Sequence, residues 1–160
     1  MTSAALAIDA SHDFDFFTGT WNVQHRKLKK RLADNDEWEL FRSVSHARPL
    51  AGGLGNMDET DLPGAHGMTI RLFDPKRQLW SLHWVSTLDP TMDRNPVVGR
   101  FDGPMGEFFA DDMFDGKKIR VRYTWTVRDK NNVQWAQAFS PDGGKSWETN
   151  WTMEFTRVAP

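Results

Sequence analysis

The chain has 160 residues, a formal charge of −2 from 20 basic and 22 acidic side chains, 39% hydrophobic and 26% charged residues, and no cysteine. A chain of this size and balance can bury roughly 70% of its unfolded surface, which excludes a disordered chain and predicts one globular domain over residues 1–160. The lack of cysteine excludes a disulfide scaffold, a thiol nucleophile and thiolate metal ligation, and the near-neutral charge gives no overall attraction to nucleic acid or anionic membrane.

Strand signals follow one another along the chain, and helix signals are scarce. Thr18 to Leu32 opens with Trp21, Val23 and His25 alternating against Asn22, Gln24 and Arg26, then runs into the basic stretch Arg26 to Arg31. Leu28 and Leu32, four residues apart, would also suit a helix. Trp38 to His46 alternates again after the turn-like Asp34-Asn35-Asp36, until Pro49, Gly52, Gly53 and Gly55 break it. Met68 to Phe73, Leu79 to Val85 and Pro96 to Phe101 come next, separated by Asp74-Pro75 and Asp89-Pro90. Gly106 to Met113 and Lys118 to Val127 flank a turn at Asp115-Gly116. In the second of these, Ile119, Val121, Tyr123, Trp125 and Val127 share one face, and Arg120, Arg122, Thr124 and Thr126 the other. Val133 to Phe139 and Trp147 to Arg157 finish the chain around the hairpin loop Pro141-Asp142-Gly143-Gly144. Such spacing predicts an all-β chain folded as an antiparallel barrel or sandwich, with helix confined to the ends. Eight tryptophans and eleven phenylalanines against one tyrosine fit a sheet core or a ring-lined pocket.

Phe14-Asp15-Phe16-Phe17-Thr18-Gly19-Thr20-Trp21 places an aromatic turn, a glycine and a tryptophan at the start of the first strand. This resembles the Gly-x-Trp opening of calycin barrels, the lipocalins and fatty-acid-binding proteins, and more closely a group of uncharacterised bacterial barrels that begin Phe-Asp-Phe-x-x-Gly-x-Trp. The resemblance implies a calycin-like antiparallel barrel of about 8 to 10 strands with a short N-terminal helical turn. It also implies that Trp21 sits on the barrel floor, with Arg157 of the last strand packed across it. Relatives of this kind range from carriers to enzymes, so the fold follows from the likeness more directly than the activity does.

Ser140-Pro141-Asp142-Gly143-Gly144-Lys145-Ser146-Trp147 matches the Asp-box pattern of propeller hairpins, where Asp and Ser bond the loop backbone. One copy cannot build a propeller, so it reads as a stabilised hairpin. Gly144-Lys145-Ser146 lacks the strand-loop-helix context of a phosphate loop. The basic run Arg26 to Arg31 reads as a solvated strand end, because no nucleic-acid motif accompanies it. The five histidines include no close pair on one element, so neither a metal site nor another cofactor is expected. Met1 to Ala10 lacks the basic flank of an export signal, and no apolar run reaches about 20 residues, which predicts a cytoplasmic protein.

The strand arginines Arg42, Arg71, Arg100, Arg120 and Arg122 carry a condition: any that faces a barrel interior must meet an anion or a carboxylate. If Arg122 points inward, Tyr123 and Trp125 form an outer apolar patch; if the rings point inward, the cavity is apolar. Asp58-Glu59, Glu107 and Asp111-Asp112 supply carboxylates that burial could tune. The expected function is binding of a small apolar or aromatic organic molecule inside the barrel. Non-covalent acid/base catalysis in the same cavity, of isomerase, cyclase or decarboxylase type, and a filled barrel serving as an interaction module are the alternatives. Strand placement and chemistry nominate His25, His46, His83, Arg122 and Gln137 as polar site groups and Trp84, Trp125 and Trp151 as ring walls. Apolar residues on both faces of Leu79 to Val85 predict a homodimer, with no nucleic-acid or membrane partner.

Overall fold

A computed structural model describes residues 9–159. The expectation that the N-terminus carries no export signal falls largely on Met1 to Ile8, outside the described residues. A 3₁₀ turn over Asp15–Phe17 precedes ten strands: β1 (Gly19–Leu28), β2 (Trp38–Leu50), β3 (Gly55–Leu62), β4 (Ala65–Asp74), β5 (Leu79–Ser86), β6 (Val97–Asp102), β7 (Met105–Phe114), β8 (Lys117–Asp129), β9 (Asn132–Ser140) and β10 (Glu148–Arg157). Each strand pairs antiparallel with its neighbours in sequence, and β1 pairs with β10 to close the barrel. Closure removes the free edges that an open sheet would expose. Among the described residues no helix is long and apolar enough to cross a membrane.

The strand over Gly55–Leu62 is absent from the sequence reading. Its buried positions are Gly55, Asn56, Asp58 and Thr60, so it shows no apolar alternation, and the run of glycines around its start reads as loop. Elsewhere the period of two holds. Trp21, Val23 and His25 of β1 point inward, as do Val121, Tyr123 and Trp125 of β8.

Because the chain goes up and down, one end of the barrel gathers the start of β1, the end of β10 and the β2–β3, β4–β5, β6–β7 and β8–β9 turns. Aromatic rings fill that end. Phe14 meets Trp80, Phe101 and Trp125 edge-on at centroid distances of 5.1, 5.2 and 5.7 Å. Phe17 stacks on Trp21 at 5.6 Å, and the Trp21 indole N–H donates to the Phe17 carbonyl at 2.8 Å. The Trp80 indole likewise donates to the Ala10 carbonyl at 2.7 Å, so both buried rings keep their polar edge satisfied. Gly19 has φ of +127°, and a Cβ there would sit 2.7 Å from Arg157 Nη1, which explains why the residue two before Trp21 is glycine.

This end takes up part of the aromatic load that suggests a second subunit. On β5, Trp80 and Leu82 are buried, and among the described residues the exposed large apolar ones are Leu40, Val44, Leu54, Leu88, Met92, Met105, Met113 and Val158, none of them aromatic.

Candidate functional site

Above the aromatic floor the barrel interior is open. A cavity of about 350 Å³ runs from Val23, Trp125 and Phe155 up to Lys27, Arg31, Leu62 and Leu88 at the rim. Its two sides differ in chemistry. On β2, β3 and β4 the inward residues include a run of small or polar side chains, Ser43, Ser45, Asp58, Thr60, Thr69 and Arg71. The facing side carries rings: Trp84 from β5, Tyr123 and Trp125 from β8, Trp135 from β9 and Trp151 from β10.

The polar side is tied together by one ion pair. Arg71, 2% exposed, places Nη2 2.6 Å from Oδ1 of Asp58, 5% exposed. Ser45 and Thr60 hydroxyls donate to Asp58 Oδ2 at 3.0 and 3.2 Å, and Arg71 Nη1 donates to Asn56 Oδ1 at 3.0 Å. The guanidinium also lies over the Phe17 and Trp125 rings at 4.8 and 5.3 Å. A buried charge needs such a shell, and Arg71 meets the condition set for any inward arginine.

His25, 3% exposed, joins the two sides. Its Nδ1 accepts the Trp151 indole N–H at 3.1 Å, so in the neutral ring Nε2 carries the proton and donates to Ser43 Oγ at 2.7 Å. The ring stacks on Phe41 with centroids 4.3 Å apart. Burial, and secondly the Lys27 charge, lower its pKa to about 4, so the imidazole is neutral at pH 7. Gln137 Nε2 donates to Asn150 Oδ1 at 2.8 Å, which fixes its amide against the aromatic side.

Five of the eight nominated residues therefore line one cavity: His25, Trp84, Trp125, Gln137 and Trp151. The other three do not line it, for a common reason. His46, His83 and Arg122 alternate with the inward residues Ser45, Leu82 and Tyr123, so strand pleating turns them outward. His46 is exposed beside Thr20, in a wide outer depression with Glu59 and Asp61. His83 bonds Ser81 Oγ at 3.0 Å, and the Arg122 guanidinium lies 4.4 Å over the Trp147 ring.

Two lining residues come from the basic run read as solvated. Lys27 and Arg31 are half-buried at the rim, with Lys27 Nζ 4.3 Å over the Trp151 ring and Arg31 Cζ 4.9 Å over Phe114. Burial lowers the pKa of both, and Lys27 is lowered further by the charge of Arg31. Their signal in the sequence is only that Lys27 continues the inward series Trp21, Val23, His25. Tyr123 faces the same cavity, and burial raises its phenol pKa, which keeps the hydroxyl protonated. Among the described residues no three histidine, aspartate or glutamate side chains converge on a point that could hold a metal.

A closed antiparallel calycin-like barrel with a sealed aromatic end and an internal cavity is thus the class of protein this chain forms. Among solved structures it is similar to an S-type phycobiliprotein lyase, CPES, from Guillardia theta, with a TM-score of 0.56, 10% identity, and coverage of 96% of this chain and 94% of that one. That likeness is one of fold. No protein-family model matches the chain, and no curated protein matches its sequence.

Proposed function

We propose that the barrel binds one small apolar or aromatic organic molecule in its open half. The observation that carries this reading is the cavity itself, about 350 Å³ with indole rings on one side and ordered polar groups on the other. A filled barrel would use those positions for packing, as the closed end does. Binding without turnover is favoured because the histidine and the carboxylate inside the barrel are held by fixed partners. His25 uses both ring nitrogens, and Asp58 is held by Arg71, Ser45 and Thr60.

The test is titration with the neutral fluorophore N-phenyl-1-naphthylamine. Saturable enhancement at one site per chain, with matching quenching of tryptophan emission, is the expected result. An unchanged tryptophan signal across the titration would remove the cavity as a binding site.

A further inference from the structure

The rim of the cavity carries two cations that make no ion pair among the described residues. Within the run Arg26 to Arg31, Lys29 pairs with Glu37 at 3.2 Å and Arg26 lies 3.9 Å over the Trp38 ring on the outer surface. Lys27 and Arg31 instead border the cavity, and among the described residues neither has a carboxylate within ion-pair distance. Glu148 acts on Arg31 as a nearby charge without an ion pair, its Oε1 accepting the backbone N–H of Leu32 at 2.8 Å. Glu39 stands directly across from Lys27 in the β1–β2 register and favours its charge, but its carboxylate does not come within ion-pair distance. Two half-buried cations that repel each other raise the energy of the empty protein, and an anion placed between them would relieve both the repulsion and the desolvation.

The remaining charges do not supply that anion. Among the described residues Asp58 is the one carboxylate lining the cavity, and Arg71 occupies it. Lys27 and Arg31 are therefore the cavity's cations without an ion pair among the described residues, and they stand next to the indole side, with Lys27 directly over Trp151.

We propose that the ligand is an aromatic or apolar carboxylic acid, its body against Trp84, Trp135 and Trp151 and its carboxylate at the rim between Lys27 and Arg31. This rests on the cavity reading above. The arrangement suits a single carboxylate: Arg31 offers a planar fork and Lys27 a point charge, while the inner end of the cavity has its own charges paired.

Calorimetric titration of the full chain with naphthalene-2-carboxylate and the neutral naphthalene-2-carboxamide tests this. The acid is expected to bind about tenfold more tightly than the amide, and to lose that advantage as salt rises from about 50 to about 500 mM. In the Lys27→Met/Arg31→Met variant, whose methionines keep the apolar stems over the rings, the two ligands should bind alike, at the affinity of the amide for the unaltered protein. Amide binding doubles as the check that the variant is folded. Equal affinities in the unaltered protein, or an acid preference that survives in the folded variant, would overturn the anion assignment and leave the cavity reading intact. If neither ligand nor N-phenyl-1-naphthylamine binds, the cavity reading falls and the assignment falls with it.

Discussion

Arg157 stands directly across from Trp21 in the pairing of the first and last strands, with its guanidinium 4.2 Å above the indole ring. The contact is more than a cation over a ring. Arg157 Nη1 donates to the Thr18 carbonyl at 2.6 Å, Nη2 to Phe16 at 2.5 Å and Nε to Lys130 at 2.9 Å. One side chain thereby joins the N-terminal turn, the barrel seam and the β8–β9 connection.

Replacing that side chain should cost more than a ring contact alone. We expect Arg157→Ala to lower unfolding free energy by about 2 kcal/mol, from the lost cation-π contact and three carbonyls left to water. Arg157→Lys should recover less than half, because a single ammonium cannot reach three carbonyls in different directions. Urea unfolding monitored by tryptophan emission measures both, and a lysine variant as stable as the parent would show that charge alone matters.

The Asp58–Arg71 pair should behave as a unit. Arg71→Met leaves a buried carboxylate uncompensated and is expected to destabilise by about 3–5 kcal/mol. Asp58→Asn added to it keeps an acceptor for Ser45 and Thr60 while removing the charge, and should restore most of the loss. A double-mutant cycle gives the coupling, and strictly additive single effects would contradict it.

The parts of this fold legible in the sequence are those where pleating and hydrophobicity agree. β8 alternates Ile119, Val121, Tyr123 and Trp125 against polar residues, and its inward face is the apolar one. The floor motif is legible for the same reason, since Gly19, Trp21 and Arg157 combine backbone, ring and charge in a fixed spacing. β4 runs the other way. Met68, Ile70 and Leu72 alternate as a core face would, yet Thr69 and Arg71 line the interior. A cavity wall need not be apolar when a buried ion pair and hydroxyls satisfy one another, so hydrophobic period says nothing of which side it lies on. Lys27 and Arg31 were hidden by their neighbours: in a run of basic residues, two that turn inward look the same as those that turn out.

His25 gives a pH dependence whose sign can be worked out. Its folded pKa of about 4 lies below the ordinary value of 6.5, chiefly through burial. Between those values the unfolded chain binds a proton that the folded chain does not, so stability falls as pH drops from about 6.5 toward 4 and levels off below. The loss should be on the order of 2 kcal/mol, allowing for partial solvent screening. His25→Gln can accept from Trp151 and donate to Ser43 without titrating, so this component should vanish from its urea midpoints across the same range. Parallel profiles for the two proteins would mean that His25 does not sense acid.

Space in the open half can be removed without touching any hydrogen bond described above. Thr69 lines the cavity from β4, directly across from Trp84 in the sheet register, and its hydroxyl takes no part in the Asp58–Arg71 network. Thr69→Phe would set a second ring beside that indole, a favourable cross-strand pair, and fill room that is now vacant. Filling an internal void usually holds or raises stability, by up to about 1–2 kcal/mol, whereas overpacking a dense core lowers it by about 1–3 kcal/mol. We therefore expect Thr69→Phe to unfold at an equal or higher urea concentration than the parent and to bind N-phenyl-1-naphthylamine at least about tenfold more weakly, a loss of about 1.4 kcal/mol. A variant that is destabilised would mean the interior is already packed at this point, and one that is stable yet binds the fluorophore unchanged would place the bound molecule outside the barrel.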